Sequence, residues 1–533
     1  MSARRADPAR LARLAVPGAA LVAFAVATVG LADDPAARLR TSRLGVALAL
    51  LGAMAAAWRH RRALRRRVAA FFFHVDDPLN LAFTRLVVFS VIATYVPIHT
   101  VASFAQLPSD VVRMPIGMGW ALPWMPRTPE SAIVLGEVMR VSAAAAALGF
   151  VTPLSTWLAA LSSCFFLVIP HMFGHVGHDR HHLVWFALLL AASPCGDRLS
   201  VDAALRAFRR RRTGVPAAPP APAPRYGFPR RCMLLTMGVA YFFAGFWKLA
   251  AVGVDWFRTD NLAYLAAKLA WAGVTDLGAN IAAHTWLMRA GAFGTIGFEL
   301  GFLFALFSRW GRVAALGGAF VFHAATFVFL GISFGSLLYC YVGLLDVAGA
   351  LRPRRDAEEA QGLLGVSPEP RAPSGTPGTR PRRPSLPAYA VAVVVLGGNL
   401  LFGVLRIGDG WPFACYPRFD VLQTSLFTSY VIEGETASGT PLRLHDGELG
   451  GPLGRHFYNI FRATQARVGG VEQADGREPR WRALCTFAWG HDPRLRGART
   501  LRFVLEDVDV AADRGRGRVV DRRLLFPCTP PPP

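Results

Sequence analysis

Apolar runs close to twenty residues long recur along this chain, and they limit its fold more than any other feature. A run of about 20 apolar residues can cross a lipid bilayer as an α-helix. The composition agrees, since 17% of residues are charged, against about 25% in soluble domains. We therefore predict an all-α polytopic membrane helix bundle with about 11 spans. The runs are 11–32, 44–58, 79–98, 132–151, 154–173, 181–195, 232–254, 290–307, 313–333, 336–351 and 386–405.

Arginine placement predicts the orientation of this bundle. Arginine clusters at 59–67, 206–212 and 352–383 follow the second, sixth and tenth runs. Short cytoplasmic loops are enriched in Lys and Arg, so a cytoplasmic N-terminus places all three clusters in the cytoplasm and the C-terminal part outside. The net charge of +23 is then explained by basic loops lying against anionic lipid. The sequence contains neither a soluble basic domain nor a pattern typical of an aromatic-lined groove, so it does not indicate nucleic-acid binding. We expect an integral, multi-pass protein of the cell (plasma) membrane.

The chain divides into five parts by composition. We expect an N-terminal helical hairpin with basic cytoplasmic flanks at 1–70, the main membrane domain at 71–351, a Pro/Arg-rich cytoplasmic linker at 352–385, the last span at 386–405 and an extracytoplasmic domain at 406–533. Within 71–351, the Pro/Ala-rich stretch 213–229 is also predicted to be a linker.

The C-terminal part has a different pattern from the rest. Gly-rich turns separate strand-like runs at 427–432 and 501–510, which predicts a small β-rich or α+β domain. Its cysteines are Cys415, Cys485 and Cys528, which allow three alternative disulfides and leave one thiol over. The other four cysteines lie in or beside apolar runs and are expected to be core residues: Cys164, Cys195, Cys232 and Cys340.

Only two lysines occur in the chain, Lys248 and Lys268, although Lys and Arg together number 58. Lys248 lies inside the apolar run 241–254. A buried ammonium can lose its proton, whereas a guanidinium effectively cannot, and an ionisable group inside a membrane helix is a candidate functional residue. The alternative is that the Lys248 side chain extends to the nearby interface. Both interpretations stay open on the sequence.

Histidines form the second candidate site. His171, His175, His178, His181 and His182 crowd one stretch before the sixth run, and H-x-x-H-H boxes supply iron ligands in membrane desaturases and hydroxylases. The alternative is a polar loop with one functional histidine. His323 stands alone in another run, where it needs a hydrogen-bond partner from a neighbouring helix.

Two further charges lie in predicted spans. Arg85 and Glu299 could pair with each other or anchor separately at an interface. No P-loop, dinucleotide-binding glycine motif or G-x-S-x-G elbow occurs, so soluble-type nucleotide or acyl chemistry is unsupported.

Several short motifs, in order from 77 to 346, resemble the horizontally transferred transmembrane (HTTM) family, which includes the vitamin K-dependent gamma-glutamyl carboxylases. Asp77-Pro-Leu leads into a helix with Arg85, and His181-His182 opens a helix that ends before Asp197-Arg-Leu-Ser-Val-Asp. Tyr241-Phe-Phe-Ala-Gly-Phe-Trp-Lys-Leu is followed by Asp255-Trp. Phe322-His is followed by Phe329-Leu-Gly-Ile-Ser-Phe.

The resemblance implies a catalytic site. Lys248 would be the base that deprotonates a reduced, vitamin K-like quinone, and His182 and His323 would support activity and, with Trp247, contact the quinone. In the carboxylases the deprotonated hydroquinone reacts with oxygen, and the strong base so formed acts on a glutamate that then takes up carbon dioxide. No metal is expected under this interpretation. The chain shows no resemblance to the large substrate-docking portion of the carboxylases.

Three functions remain open from the sequence. The first is a quinol-dependent, carboxylase-like (lyase-type) enzyme with a protein or peptide substrate on the outer side. The second is a non-catalytic membrane protein whose outer domain binds an envelope partner, with Lys248 paired to an acid such as Glu299 or Asp255. The third is an iron-dependent lipid oxidase built on the histidine box.

Overall fold

The computed structural model describes residues 40, 44, 52, 55, 58–107, 109, 112–173, 176–214, 220–272, 276–351, 382–414, 420–436, 438–445, 478–491, 494–495, 498–511 and 517–528. This part of the chain is mostly helical, with a small sheet near its C-terminal end. The helices are α1 Arg61–Phe72, α2 Pro78–Tyr95, α3 Ile98–Ser103, α4 Pro129–Leu148, α5 Thr152–Phe166, α6 His181–Ala191, α7 Val201–Arg212, α8 Pro224–Val252, α9 Asp255–Arg258, α10 Asn261–Trp271, α11 Asp276–Ala282, α12 Thr285–Ala305, α13 Arg309–Leu330, α14 Gly335–Val342, α15 Val347–Ala350, α16 Leu386–Val404 and α17 Glu478–His491.

Seven helices of the described part are long and apolar enough to cross a membrane. They are α2, α4, α5 with its continuation to His171, α8, α12, α13 and α16, and they fall on seven of the predicted runs. Nine of the eleven predicted runs lie in the described residues, and seven of these nine form helices of this length. The run 181–195 contains only the 11-residue α6, and the run 336–351 is divided between α14 and α15. The run 11–32 and most of 44–58 lie outside the described residues.

Capping residues explain where the long helices begin. The side chain of Asp77 accepts a hydrogen bond from the backbone of Leu79, and Pro78 occupies the first helical position of α2. Thr128 and Ser131 form a reciprocal capping box at the start of α4, which also begins with a proline. Such residues satisfy backbone N–H groups that have no partner inside the helix. These starts are therefore specified locally by the sequence.

Helix α8 begins earlier than predicted. Its first residue is Pro224 and it includes Pro229, so the stretch 213–229 is not wholly a linker. Proline at the first helical position costs nothing, because the N–H that it lacks would have had no partner there. At 29 residues α8 is the longest described helix, and it packs against α12, α16 and α6.

Arginines gather at one end of the bundle, which we call the basic end. Helix α7 carries Arg206 and Arg209–Arg212 and buries none of its residues. It is joined to the start of α8 through Asp197, which accepts hydrogen bonds from Arg225 at 2.9 Å and Tyr226 at 2.7 Å. The exposed arginines of α1 reach the same end, since the loop after α1 pairs with residue 223. The loop after α1 and the segment that leads into α7 therefore both lie at the start of α8.

The C-terminal part forms an antiparallel sheet in the order β2-β1-β3-β4. Its strands are β1 Leu426–Glu435, β2 Pro441–His445, β3 Thr500–Asp509 and β4 Arg518–Cys528. The two predicted strand runs are confirmed as parts of β1 and β3. Asn261 of α10 accepts a hydrogen bond from the backbone of Gln423 at 2.6 Å, which places the sheet at the end opposite to the basic end.

The structure also decides between the cysteine pairings. Cys485 of α17 and Cys528 of β4 form a disulfide with their Cα atoms 5.7 Å apart, while Cys415 lies outside the described residues. Cys195, Cys232 and Cys340 are buried, and Cys164 is half-buried. The prediction that these four are core residues is thus confirmed for three of them.

Candidate functional site

Lys248 of α8 is buried beside Glu299 of α12, with 4% of Lys248 and 5% of Glu299 exposed. The amine donates to both carboxylate oxygens and lies 2.6 Å from Oε2. It also lies 5.2 Å from the centre of the Trp256 ring, where a cation is attracted to the electron-rich face. The Lys248 side chain therefore stays inside the bundle, and the alternative in which it extends to the interface is wrong.

Gly245 sets the distance between the two helices that hold this pair. A Cβ atom at Gly245 would lie 3.0 Å from the Cβ of Glu299 and 3.1 Å from the Cγ of Leu300. Small residues at such positions let membrane helices approach closely. Gly245 is one helical turn before Lys248 on the same face of α8. The close approach of α12 at Gly245 thus brings the Glu299 carboxylate within reach of the amine.

His323 of α13 belongs to a buried chain of polar groups. The hydroxyl of Tyr241 lies 2.6 Å from Nε2 of His323 and 2.8 Å from the hydroxyl of Tyr341. Tyr241 precedes Lys248 by two turns of α8, so both side chains face the same neighbouring helices. The rings of Phe298 and Phe334 lie 5.1 Å from Tyr241 and 4.7 Å from His323, respectively. The chain is thus enclosed by aromatic side chains.

His182, at the start of α6, faces the same region. Its ring lies near the backbone of Ser336 and on the side of α6 that is closer to His323. The hydroxyl of Ser336 in turn donates to the backbone carbonyl of Asp179 at 3.1 Å. Helix α14 therefore connects the loop before α6 to the His323 side of the site.

Each of these two histidines keeps one ring nitrogen without a hydrogen bond. His182 and His323 are each 2% exposed, and Nε2 of His182 and Nδ1 of His323 have no partner among the residues that the structure describes. Buried polar atoms in proteins are nearly always paired, so an unpaired one needs an explanation. Each of these nitrogens is therefore suited to form a hydrogen bond with a polar group of a ligand.

Trp247, the fourth residue predicted from the resemblance, faces away from the histidines. Its ring N–H donates to the carbonyl of Gly403 in α16 at 2.7 Å. The guanidinium carbon of Arg406 lies 5.5 Å from the centre of the same ring. Neighbouring residues on a helix point about 100° apart, so Lys248 can face α12 while Trp247 faces α16.

The histidine box packs around a tryptophan. The ring of Trp411 lies 4.5 Å from that of His181 and 5.2 Å from that of His171, and His178 lies 5.6 Å from His181. His175 lies outside the described residues. Among the residues that the structure describes, no three His, Cys, Asp or Glu side chains are grouped so as to hold a metal ion. Here the box residues connect the loop after α16 to α6.

Arg85 does not pair with Glu299. Its guanidinium donates to the backbone carbonyls of Cys195 at 3.1 Å and Ala147 at 3.2 Å, and also to Leu199. It therefore satisfies carbonyls at the ends of α4 and of the segment after α6, close to the basic end. The pairing of Arg85 with Glu299 is therefore wrong, and Glu299 is paired with Lys248 inside the bundle rather than anchored at an interface.

Sequence reasoning assigned no role to Tyr241 or Tyr341. A signal for Tyr241 was present, because it lies seven residues before Lys248 and seven residues are about two helical turns. Tyr341 gave no such signal, since α14 is distant in sequence and its contact with α8 depends on tertiary packing. Comparison with family models, curated proteins and solved structures finds no match to this chain.

Proposed function

We propose that this protein is a membrane enzyme that removes a proton from a quinol-like hydroxyl group, with Lys248 as the base. The observation that supports this most is the pair of unbonded, buried nitrogens on His182 and His323. His323 bonds Tyr241, which lies two turns of α8 before the buried amine of Lys248. A hydroxyl or quinone oxygen bound there would give both nitrogens the partner that they lack.

The Lys248–Glu299 pair gives this base a way to become neutral. An ammonium and a carboxylate in contact can exchange one proton, which leaves an amine and a carboxylic acid. Burial disfavours both charged forms, so the exchange costs less here than in water. The neutral amine then accepts the hydroxyl proton of the substrate and returns to the ammonium form, while Glu299 holds the exchanged proton.

His323 would orient the substrate through the tyrosine chain. When Tyr341 donates to Tyr241 and Tyr241 donates to Nε2 of His323, the imidazole proton lies on Nδ1. Nδ1 then offers an N–H donor to a substrate oxygen. In the proposed complex, Nε2 of His182 binds the same oxygen, so the oxygen is held by both histidines.

The chain supplies a matched pair of variants to test this role, because it has only two lysines. Lys248→Arg keeps the positive charge but removes the amine that can lose its proton. Lys268→Arg makes the same change beside Phe427 on the sheet side. We expect K248R to abolish oxygen-dependent consumption of added hydroquinone in proteoliposomes, and K268R to retain it. Full activity in K248R would refute the assignment of the base.

A second candidate function follows from the ion pair itself. Because Glu299 neutralises Lys248, the two could serve only to join α8 to α12, in a protein whose sheet domain binds an envelope partner. The exchanged variant Lys248→Glu with Glu299→Lys keeps a pair but moves the amine to α12. If Lys248 is the base, this variant folds and loses hydroquinone consumption. If the pair is only structural, the exchanged variant folds as well. In that case the lipid extract of the purified wild-type protein contains no quinone.

A further inference from the structure

Two arginines at the basic end are connected through Phe71 and the end of α12, and neither forms a salt bridge among the residues that the structure describes. Arg231 of α8 and Arg312 of α13 are both half-buried, and the ring of Phe71 lies 5.0 Å from that of Phe307, the residue after Leu306. The guanidinium of Arg231 lies 5.4 Å from the centre of the Phe71 ring. Arg312 donates to the carbonyl of Leu306 at 3.0 Å, at the end of α12.

The nearby carboxylates already have other partners. Asp76 accepts from Arg230 and, at 2.7 Å, from the side chain of Asn80. Asp346 accepts from Asn80 at 2.8 Å and from the backbone of Gly349 at 2.9 Å. Within the described residues, no carboxylate forms a salt bridge with Arg231 or Arg312. Asp76 and Asp346 attract Arg231 from a distance, but their oxygens are bonded elsewhere, so neither guanidinium has a direct counter-charge in the described part of the chain. A half-buried guanidinium without one is stabilised when an anion binds there.

His74 reports the same positive potential from a third side. It lies in the loop between α1 and α2, outside the membrane-spanning helices. Burial and then the charge of Arg231 lower the pKa of His74, with a further contribution from Arg312, and Asp76 opposes this only in part. Burial is the larger cause, and the two arginines add to it, so His74 lies near the same guanidinium groups.

We propose that Arg231, Arg312 and His74, which we name the arginine notch, bind the phosphate of an anionic phospholipid headgroup. Guanidinium groups match phosphate oxygens with paired N–H donors. The surroundings fit a lipid rather than a soluble anion, since Trp310, 73% exposed, and Phe307, 46% exposed, lie beside the notch on the outside of α13 and the end of α12. Exposed aromatic rings of this kind are typical of the membrane–water interface.

The position also suits a headgroup geometrically. Phe71 is buried between the ring of Phe307, at 5.0 Å, and the guanidinium of Arg231. Acyl chains could therefore lie along the apolar outer faces of α12 and α13 while the phosphate meets the arginines. This site is at the end opposite to the sheet and does not depend on the proposed function.

The test measures phospholipid bound to the full-length protein by native mass spectrometry in detergent. Arg231→Gln with Arg312→Gln removes both guanidiniums, and Arg65→Gln with Arg66→Gln makes the same charge change on the exposed face of α1. We expect phosphatidylglycerol to bind the first variant at least about tenfold more weakly than wild type, because the variant lacks both charged hydrogen-bond donors. Binding to the α1 variant should stay within about twofold of wild type. Equal weakening of phosphatidylglycerol binding in both variants would show a general attraction to basic residues. This result would refute the proposal that the arginine notch is the binding site.

A measurement on wild-type protein alone covers the case in which the notch variant does not fold. Short-chain phosphatidylglycerol should raise the midpoint of thermal unfolding of delipidated protein more than phosphatidylcholine of equal chain length does. Inorganic phosphate should raise it less than either lipid. Equal effects of the two lipids would refute anionic selectivity, and protection by inorganic phosphate equal to that by phosphatidylglycerol would assign the notch to a soluble anion.

Discussion

The amine of Lys248 lies 2.6 Å from the Oε2 atom of Glu299, so the two ionisable groups of α8 and α12 are direct partners. The pair is buried within the bundle and is enclosed on one side by Trp256. Removing one member leaves an unpaired group that must either stay charged at high cost or lose its charge.

The stability of the bundle should depend on both members of the pair together. Lys248→Met leaves the Glu299 carboxylate unpaired and should lower the free energy of unfolding by about 3–5 kcal/mol. Lys248→Met with Glu299→Leu removes both charges and should regain most of that loss, since apolar replacement of a whole buried pair is often neutral. Chemical unfolding in micelles, analysed as a double-mutant cycle, measures the coupling. If the double variant loses as much free energy of unfolding as the two single variants lose in sum, the two groups do not interact.

Close packing at Gly245 gives a second prediction. Gly245→Ala places a Cβ 3.0 Å from Glu299 and 3.1 Å from Leu300, so we expect a net loss of about 1–3 kcal/mol from overpacking. Gly297→Ala is the matched control in α12, because a Cβ there meets nothing within 4 Å. Alanine favours a helix by up to about 1 kcal/mol over glycine, so the control should be neutral or stabilising. Thermal unfolding of the two variants measures the contrast, and equal midpoints would contradict the close approach.

Acidic pH should lower the stability of the protein at the basic end, because the Asp76 carboxylate becomes protonated. Burial alone would raise the pKa of this carboxyl group, but the charge of Arg230 and hydrogen bonds from Asn80 and the Asp77 backbone hold the pKa of Asp76 below its ordinary value. A lowered folded-state pKa stabilises the protein above the pKa of unfolded aspartate, about 3.9. That contribution disappears as the pH falls from there through the still lower folded-state pKa.

Asp76→Asn should remove this acid-dependent contribution. The variant should be less stable than wild type at neutral pH, and its free energy of unfolding should fall less steeply than that of wild type below about pH 4. Unfolding midpoints measured from neutral to acid pH test the slope. Arg230→Gln removes the partner charge and should flatten the same region. Parallel pH curves for wild type and both variants would exclude Asp76 as the group responsible.

The disulfide of the sheet domain gives the fourth prediction. Cys485 and Cys528 are separated by 43 residues, and closing a loop of that length is worth about 4 kcal/mol in the chain-entropy treatment. Cys528→Ser should therefore destabilise the sheet domain of the full-length protein by about that amount, and adding Cys485→Ser should cost little more. Peptide mapping of unreduced protein should recover the 485–528 pair. Recovery of Cys415 joined to either residue would contradict this pairing.

Local sequence determined the spans and their starts. Hydropathy is a sum over about twenty consecutive residues, so the seven long helices coincide with seven predicted runs. Asp77 and Thr128 mark helix starts, because a helix cap needs no distant partner. The short run 336–351 does not form one helix, and a composition window does not locate the turn at residues 343–346 that divides it.

The tertiary structure alone decided which side chains meet. Lys248 was recognisable from the sequence as an unusual buried amine, but its partner depends on how α8 and α12 rotate and approach at Gly245. The same holds for Tyr241 with His323 and for Cys485 with Cys528, whose members lie on separate elements. Contacts of this kind depend on packing between helices and strands far apart in sequence, and no local sum of residue properties contains that information.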